Sequence, residues 1–306
     1  MSFHIVNINS DKCALTCSNG QLRQVSADGE RLLPIEDVAA ILVTSFSATI
    51  HTELLKECAK HGISLIICEA YKPVSLVLPA NRSTDTLLSR AVINLETKTR
   101  ERLWQRCVDA KCANQSALAQ RLSPDDPATV KLGSWSNGGQ MNKESACARW
   151  YWQVFGRIVG ENGFIRGRNN GSINDLLNYG YAVLLSVVLQ KLFAIGLDPT
   201  FGISHVIRER ATPLAYDLME PYRPCVDARV IQWLRQNEDR HEAIKVSGDY
   251  RRWITAVVME KINYDGHPIS LQGCVEATTR DFRRAILGGD ARFFKPWTLK
   301  NSKWAG

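Results

Sequence analysis

The sequence predicts an α+β protein in which a small β-rich N-terminal domain, residues 1–80, precedes a larger all-α domain, residues 81–306. Three observations support this division. Short apolar runs separated by tight-turn dipeptides fill the first part. Apolar residues recur at helical spacing after residue 85. Residues 1–80 hold six Lys/Arg and eight Asp/Glu, whereas the remainder holds 32 and 23, so positive charge is confined to the second part.

The N-terminal domain is predicted from its turns and its apolar runs. Asn-Gly at 19–20 and Asp-Gly at 28–29 are strong hairpin signals, because both turn residues must tolerate positive φ. The continuous apolar run Val38–Val43 is typical of a strand buried on both faces. A short helix follows in HTELLKECAKHG and stops at Gly62. The runs ISLIIC and VSLVLP predict two further strands.

The second domain is predicted from a change of period. Turn-forming residues at 79–85 mark the boundary, and residues 86–122 then carry apolar side chains at helical spacing. All later segments are predicted as helix, interrupted by a Gly/Ser/Pro-rich loop from 123 to 140. Ser172, followed three residues later by Asp175, resembles a capping box and predicts a helix start.

One apolar stretch, Leu176–Leu197, is long enough to span a membrane. It contains Asn178, Gln190 and Lys191, and no second candidate span exists in the sequence. We therefore expect a buried helix at the centre of the helical domain and no membrane partner.

The cysteines and the first residues indicate a compartment. The chain has nine cysteines, an odd number, and no C-x-x-C pair. This pattern suits reduced thiols better than a disulfide framework or a zinc site. The first residues lack the basic and apolar regions of a secretory signal. These features favour a cytoplasmic protein.

The segment Gly202–Asp227 contains the most informative polar residues. His205 lies in a loop, and Asp217 and Glu220 are three apart on the following helix, so both carboxylates project from one face. Like charges at that spacing repel unless a cation lies near them. Pro221 and Pro224 cannot donate to the carbonyls four residues earlier, so they bend or open the helix there. The alternatives are half of a metal site or a solvated acidic face with a core histidine.

Glu144 is the candidate third ligand. It lies on the same helical face as Cys147, Tyr151 and Phe155, where a carboxylate needs a partner or a cation. A glutamate at the rim near the helix start is the alternative. Carboxylates with one imidazole favour Mg²⁺ or Mn²⁺ and phosphoryl chemistry. Without metal, we expect the carboxylates to raise one another's pKa, so that Glu220→Ala leaves the protein at least as stable.

Arginines alternate with aromatic residues near the C-terminus, in DYRRW and RDFRRAILGGDARFFKPW. Such interleaving suits contact with double-stranded DNA, although the aromatic residues could equally belong to the core. The chain has no Gly-rich phosphate loop and no Ser-His-Asp signature, so nucleotide-driven and acyl-transfer chemistry have no support. The candidate DNA-binding residues are Arg251, Arg252, Arg280, Arg283 and Arg284.

Several motifs in order resemble the CRISPR-associated spacer-acquisition integrases, the first-numbered Cas family, over essentially the whole chain. The segment NRSTDTLLSRAVINLETKTRERLWQRCVDAKCANQ is similar to the family's first helical segment. The most specific elements are the glutamate helix KESACARWYWQVF, then INDLLNYGYAVL, then GISH followed by LAYDLMEPYRP.

The resemblance implies a site and a reaction. The family's metal-binding Glu, His and acidic residue fall on Glu144, His205 and Glu220, and Asp217 matches a further acidic position. With Mg²⁺ or Mn²⁺, a DNA 3′-hydroxyl would attack a phosphodiester and insert a captured fragment, the spacer, into a CRISPR array. With water as nucleophile, the same site would be an endonuclease.

The resemblance also implies partners: a homodimer built largely through the N-terminal domains, and a small second Cas protein that bridges two dimers. Two departures are visible. The segment NNGSIND stands where the family usually has a P-x-N-A pattern, and Glu220 stands where some relatives carry Asp. Other readings are a catalytically inactive DNA-binding scaffold and a metal-dependent DNA nuclease outside CRISPR.

Overall fold

The computed structural model describes residues 4–77, 85–139, 142–167, 172–205, 211–264 and 266–299. Its N-terminal part holds two four-stranded sheets, of strand orders β1-β5-β7-β8 and β4-β3-β2-β6. Strands β1, β5 and β7 run parallel, and β8 is antiparallel to β7. The elements are β1 His4–Ile8, β2 Ala14–Ser18, β3 Gln21–Ser26, β4 Gly29–Pro34, β5 Val38–Val43, β6 Thr49–Ile50, α1 Thr52–His61, β7 Ser64–Glu69 and β8 Lys72–Val77.

Local turn chemistry determines the N-terminal elements as predicted. Asn19 and Gly20 both have positive φ, 51° and 72°, in the tight turn between β2 and β3. Gly62 ends α1 in the left-handed conformation. Strand β5 is buried at all six positions. Its Ile41 packs with α1 in one core, and Leu42 faces the core of the helical part, so the sheet joins the two parts.

The rest of the chain is mainly helical, which confirms the predicted fold class. Asp85 caps the first helix through the Leu87 amide; the predicted boundary, residues 79–85, otherwise lies outside the described residues. The helices are α2 Thr86–Ile93, α3 Thr97–Leu122, α4 Pro127–Asn137, α5 Lys143–Ile158, α6 Ile173–Ala194, α7 Pro213–Met219, α8 Arg223–Gln236, α9 Arg240–Ala243, α10 Gly248–Thr255 and α11 Leu271–Gly288.

Helix α6 forms the centre of the molecule. It packs against the first sheet on one side and against α7, α8 and α11 on others. It is apolar and long enough to cross a membrane, yet 89% of its most apolar window is buried inside the fold. Ser172 caps its start by accepting from the Asn174 amide. The predictions of a helix start at Ser172 and of a buried central helix are both confirmed.

Two elements differ from the sequence-based expectation. The predicted loop 123–140 contains helix α4, because Asp126 accepts from the Ala128 amide as an N-cap and Pro127 suits the first turn. The helical part also includes a hairpin, β9 Lys261–Tyr264 and β10 His267–Ser270. Asp265-Gly266 in the sequence is the same hairpin signal that predicted the earlier turns.

Candidate metal centre

Three segments meet at the predicted site: α3, the start of α5, and a 3-10 turn, Glu220–Tyr222, between α7 and α8. The buried face of α3 includes Cys107 and Asn114, and Lys111 lies between them at the same helical spacing. The Asn114 Nδ2 atom donates to the Pro221 carbonyl at 2.7 Å, which fixes α3 against the turn. The site is therefore assembled from segments far apart in the sequence.

The proline-induced opening of the helix is confirmed. Helix α7 ends at Met219, the 3-10 turn follows, and α8 begins at Arg223. Among the described residues, Asp217 pairs with His205 and Glu220 with Arg223. The two carboxylates separate the site into a lysine half, around Glu220, and a histidine half, around Asp217.

The lysine half consists of two carboxylates and two cations. The Lys111 Nζ atom lies 2.9 Å from Glu144 Oε1 and 2.7 Å from Glu220 Oε2. The Arg223 Nε atom donates to Glu220 Oε1 at 2.6 Å. Glu220 is buried, whereas 39% of the Glu144 side chain is exposed. Glu144 therefore lies at the exposed rim of the site, at the start of α5, and Lys111 connects it to the buried Glu220.

These ion pairs contradict the expected repulsion between carboxylates. Burial acts to raise the pKa of Glu220, but Arg223 and Lys111 outweigh it and hold that pKa at about 2. Burial likewise acts to lower the pKa of Lys111, but Glu220 and Glu144 outweigh it and raise that pKa. For Glu220, the prediction that the neighbouring carboxylates raise its pKa was wrong, because it considered the acidic residues without the cations that other helices supply.

Arg223 contacts the ring of Tyr181, whose hydroxyl is in turn bound to a buried aspartate. Its guanidinium carbon lies 4.5 Å from the ring centre of Tyr181, a cation–π contact. The hydroxyls of Tyr181 and Tyr151 donate to the fully buried Asp227 at 2.5 and 2.7 Å. Burial raises the pKa of Asp227 to about 6. This network holds Arg223 in one orientation toward Glu220.

The histidine half is built on Asp217, which is completely buried. One of its oxygens accepts from the backbone amides of Ile203 and Ser204, at 2.7 and 3.1 Å. The other accepts from the His205 amide at 3.1 Å and pairs with His205 Nδ1 at 2.7 Å. Gly202 is required here, because an added Cβ would lie 2.9 Å from Asp217 Oδ2 and 2.5 Å from the His205 carbonyl oxygen.

Asp217 thereby orients the imidazole of His205. With Nδ1 engaged by the carboxylate, Nε2 is the ring nitrogen left for a ligand. The ring of Trp104 meets His205 edge to face, with 5.8 Å between centroids. The hydrogen bond to Asp217 raises the pKa of His205, against the lowering effect of burial. The side chain is 26% exposed, so part of the ring is accessible to solvent.

The donor set fits a divalent cation in chemistry, although the donors are not gathered around one point. Among the described residues, no three His, Cys, Asp or Glu side chains form a group that could hold a metal ion. Glu220 Oε2 is buried without an aligned hydrogen-bond donor, and Lys111 approaches it as an ion pair. A buried carboxylate oxygen in this state retains a lone pair for a cation, and the ammonium group is a cation already held there.

The C-terminal arginines make local contacts. Arg252 pairs with Asp249, and Arg283 lies 3.9 Å from Asp85. Arg280 and Arg284 pair with acidic residues on their own helix, and Arg251 lies 5.9 Å from the ring centre of Tyr179. Of the four aromatic residues in RDFRRAILGGDARFFKPW, Phe282, Phe294 and Trp297 belong to the core, as the alternative predicted, and Phe293 is exposed.

Sequence reasoning missed a basic groove beside the site. It has a volume of about 910 Å³ and lies between α3, α5 and the segment after α11. Arg102 and Lys295 line it as exposed cations, and Lys143 lines it beside Glu144. The signal was available in α3, where Arg102, Arg106 and Asp109 follow helical spacing on one face. Lys111 was missed as well, since a single lysine in a helix carries no such signal.

Comparison with solved structures shows which known proteins share this fold. A structure of a casposase bound to integration product superposes with a TM-score of 0.72 at 19% identity, covering 98% of this chain and 96% of that one. A Cas6-RT-Cas1–Cas2 complex gives a TM-score of 0.78 at 16% identity, covering 97% of this chain and 36% of that one. The chain has the fold that these two structures share.

The sequence identifies the family to which the chain belongs. It is 27% identical over 278 residues to the CRISPR-associated endonuclease Cas1 of Neisseria meningitidis, covering 89% of this chain and 88% of the relative. The profile of the family described as CRISPR associated protein Cas1 matches residues 6–261. The chain belongs to the Cas1 family, and the resemblance inferred from its motifs is confirmed.

Proposed function

We propose that this chain is a metal-dependent DNA integrase and endonuclease that inserts captured fragments into a CRISPR array. The observation that carries the proposal is that Lys111 pairs with both Glu144 and Glu220 while Asp217, three residues before Glu220, orients His205, in a Cas1-family chain. Hard oxygen donors with one imidazole suit Mg²⁺ or Mn²⁺. Names of similar proteins support the role, since they include endonucleases and a casposase with its integration product.

Each residue has a distinct part in the proposed mechanism. Glu144, Glu220 and the Nε2 atom of His205 would hold the cation, which supplies Lewis-acid polarisation of the phosphodiester when bound. Asp217 orients His205; its two oxygens already accept hydrogen bonds from residues 203–205, so we assign it to positioning rather than ligation. Arg223 holds Glu220 in place and keeps it ionised.

The basic groove offers a path for the DNA backbone up to the site. Arg102 and Lys295 are exposed there, and Lys143 extends the groove to the residue before Glu144. Phosphate contacts of this kind carry affinity without reading bases. The predicted set of Arg251, Arg252, Arg280, Arg283 and Arg284 remains a second candidate surface, although most of its members are engaged with neighbouring carboxylates.

Partners and compartment follow from the same relatives. The Cas6-RT-Cas1–Cas2 complex supports association with a small Cas2 protein, and we propose a homodimer whose N-terminal domains form the contact, with Cas2 bridging two dimers. The eight acidic against six basic residues in 1–80 suit protein contact better than DNA contact. All nine cysteines are free and buried, which suits the cytoplasm of a prokaryote.

A DNA-binding scaffold without catalytic activity is the second candidate, and one observation favours it. Glu144 and Glu220 form ion pairs with Lys111 and Arg223, so a purely structural role would also explain their presence. The scaffold would bind DNA through the basic surface and need no metal. It therefore predicts DNA binding without strand transfer.

A strand-transfer assay separates these proposals. It uses a short duplex and a repeat-bearing plasmid, with and without Mn²⁺, and adds purified Cas2. We expect joined product only with Mn²⁺, and a loss of about 100-fold or more in His205→Ala, because a direct ligand matters more than the groups that orient it. His241→Ala, which removes an exposed histidine far along the chain, is the matched control. Equal joining by His205→Ala and wild type would overturn the ligand assignment.

A further inference from the structure

Lys111 is the feature of the site that neither the fold nor the proposed reaction explains. Its side chain is only 14% exposed, on the buried face of α3 between Cys107 and Asn114. Burying an ammonium group is costly unless it is paired. Here the pairing is with the two glutamates proposed as metal ligands, and with both at once, at 2.9 and 2.7 Å. Its position is therefore that of a cation bound between two ligands.

We propose that Lys111 is a built-in counter-cation that occupies the metal position in the metal-free protein and is displaced when Mg²⁺ or Mn²⁺ binds. The inference rests on the proposed function, since it takes Glu144 and Glu220 as ligands. It adds an exchange of cations that makes the metal-free fold stable and makes metal binding weaker than the ligands alone would allow.

The first argument is steric. A Mg²⁺ ion lies about 2.1 Å from its oxygen ligands. An ion bound to both Glu144 Oε1 and Glu220 Oε2 would lie in the space between them, which the Lys111 Nζ atom fills at 2.9 and 2.7 Å. The two cations cannot share that space, so one must leave.

The second argument is electrostatic. Around Glu220 the two carboxylates are already balanced by two cations, Lys111 and Arg223. A divalent ion would add two positive charges to a neutral, largely buried cluster, and the departure of one resident cation reduces that gain to one. When a resident cation leaves, the carboxylates attract the metal more strongly, and the metal meets less repulsion from neighbouring positive charge.

The third argument identifies which cation leaves. Arg223 is fixed by its contact with the Tyr181 ring and by its Nε hydrogen bond to Glu220. The ion pairs described for Lys111 are with the glutamates alone, and Glu144, at the rim, is 39% exposed. A lysine stem can turn toward that opening and carry its ammonium group into water. Lys111 is thus the mobile counter-cation, and Arg223 the permanent one.

Calorimetric titration of Mn²⁺ into wild type, Lys111→Met and Lys131→Met tests the exchange without using activity. Lys111→Met keeps the stem and removes the charge, and Lys131 is an exposed control lysine. We expect Lys111→Met to bind Mn²⁺ tighter by about tenfold or more, because no cation must be displaced. In chelator it should melt below wild type, and Mn²⁺ should raise its melting temperature by more than it raises that of wild type.

A second measurement on wild type alone covers the case in which Lys111→Met does not fold. Acetylation of lysines by a water-soluble acylating reagent is mapped by mass spectrometry, and the rate at Lys111 is divided by the rate at Lys131. We expect Mn²⁺ to raise this ratio by about tenfold or more, since displacement exposes the Lys111 amine. An unchanged ratio in wild type that binds Mn²⁺ would overturn the exchange and leave the metal site intact; equal Mn²⁺ affinity of wild type and a folded Lys111→Met would do the same. Absence of Mn²⁺ binding in both proteins would overturn the proposed function as well.

Discussion

The histidine half and the lysine half of the site hold carboxylates only three residues apart in entirely different ways. Asp217 accepts from three backbone amides and from His205, all supplied by one short loop. Glu220 is held by Lys111 and Arg223, two cations on α3 and α8. One half is a rigid, locally built hydrogen-bond cradle, and the other is a cluster of ion pairs assembled from distant segments.

The histidine half therefore depends on the orientation of hydrogen bonds, whereas the lysine half depends on a balance of charges. The cradle fixes a neutral or charged imidazole by geometry, and it keeps its hydrogen bonds whichever cation is near. The ion-pair cluster depends on its balance of charge, so a change of cation or of pH affects it directly.

Glu220→Ala should lower the free energy of unfolding of the metal-free protein by about 3–5 kcal/mol. The substitution leaves the buried cations Lys111 and Arg223 without their shared carboxylate. Chemical denaturation in chelator measures the loss. Glu242→Ala, which removes an exposed partner of Lys245, is the control and should cost far less, because solvent screens an exposed ion pair. A Glu220→Ala variant as stable as wild type would restore the repulsion that the sequence alone suggested.

The two halves should respond to pH in opposite directions. The pKa of Glu220 lies at about 2, below its usual 4.5, so its stabilisation is complete above pH 4.5 and is lost as pH falls toward 2. That shift corresponds to about 3 kcal/mol. The pKa of His205 is raised above 6.5. The stabilisation that His205 gives to the fold is therefore complete below pH 6.5 and is lost as pH rises through the pKa of His205 in the folded protein.

Stability measured against pH in wild type and Glu220→Ala checks the acid limb. The steep loss below pH 4.5 should be present in wild type and much smaller in the variant. If both proteins lose stability equally as pH falls below 4.5, the loss comes from other carboxylates.

Asp217→Asn should weaken Mn²⁺ binding by about 10–100-fold, because it replaces the acceptor that orients His205. It should also lower the pKa of His205, which the hydrogen bond to Asp217 raises. Calorimetry and an NMR titration of the imidazole measure the two effects, with Asp249→Asn as an exposed control. Unchanged affinity together with an unchanged imidazole titration would remove Asp217 from its positioning role.

Sequence alone predicted several elements whose causes are local, although it missed helix α4 and the β9–β10 hairpin, whose signals are also local. The turn at Asn19-Gly20, the stop at Gly62 and the opening of the helix at Pro221 each depend on one or two residues, and all were found. Lys111 could not be predicted, because its partner Glu144 lies 33 positions away and only packing of α3 against α5 brings them together. The family motifs indicated the ligands but not the cation between them.

The smallest effect concerns DNA affinity. Arg102→Ala and Lys295→Ala, in the basic groove, should each weaken binding to unrelated duplexes by a similar factor and reduce the salt slope by about 1. Arg252→Ala and Arg283→Ala are the comparison, because Arg252 is paired with Asp249 and Arg283 lies 3.9 Å from Asp85. Fluorescence anisotropy at several salt concentrations measures both. A larger loss in Arg252→Ala and Arg283→Ala would move the DNA path to the C-terminal arginines.

The central claim is that the two halves form one cation site, and crystals of the protein soaked in Mn²⁺ test it most directly. Anomalous scattering locates the ion without assumptions about activity. We expect one peak within about 2.5 Å of His205 Nε2 and of carboxylate oxygens of Glu144 and Glu220, with Asp217 still bound to the 203–205 backbone. A peak coordinated by Asp217 instead of His205, or no peak at full soaking concentration, would contradict the account.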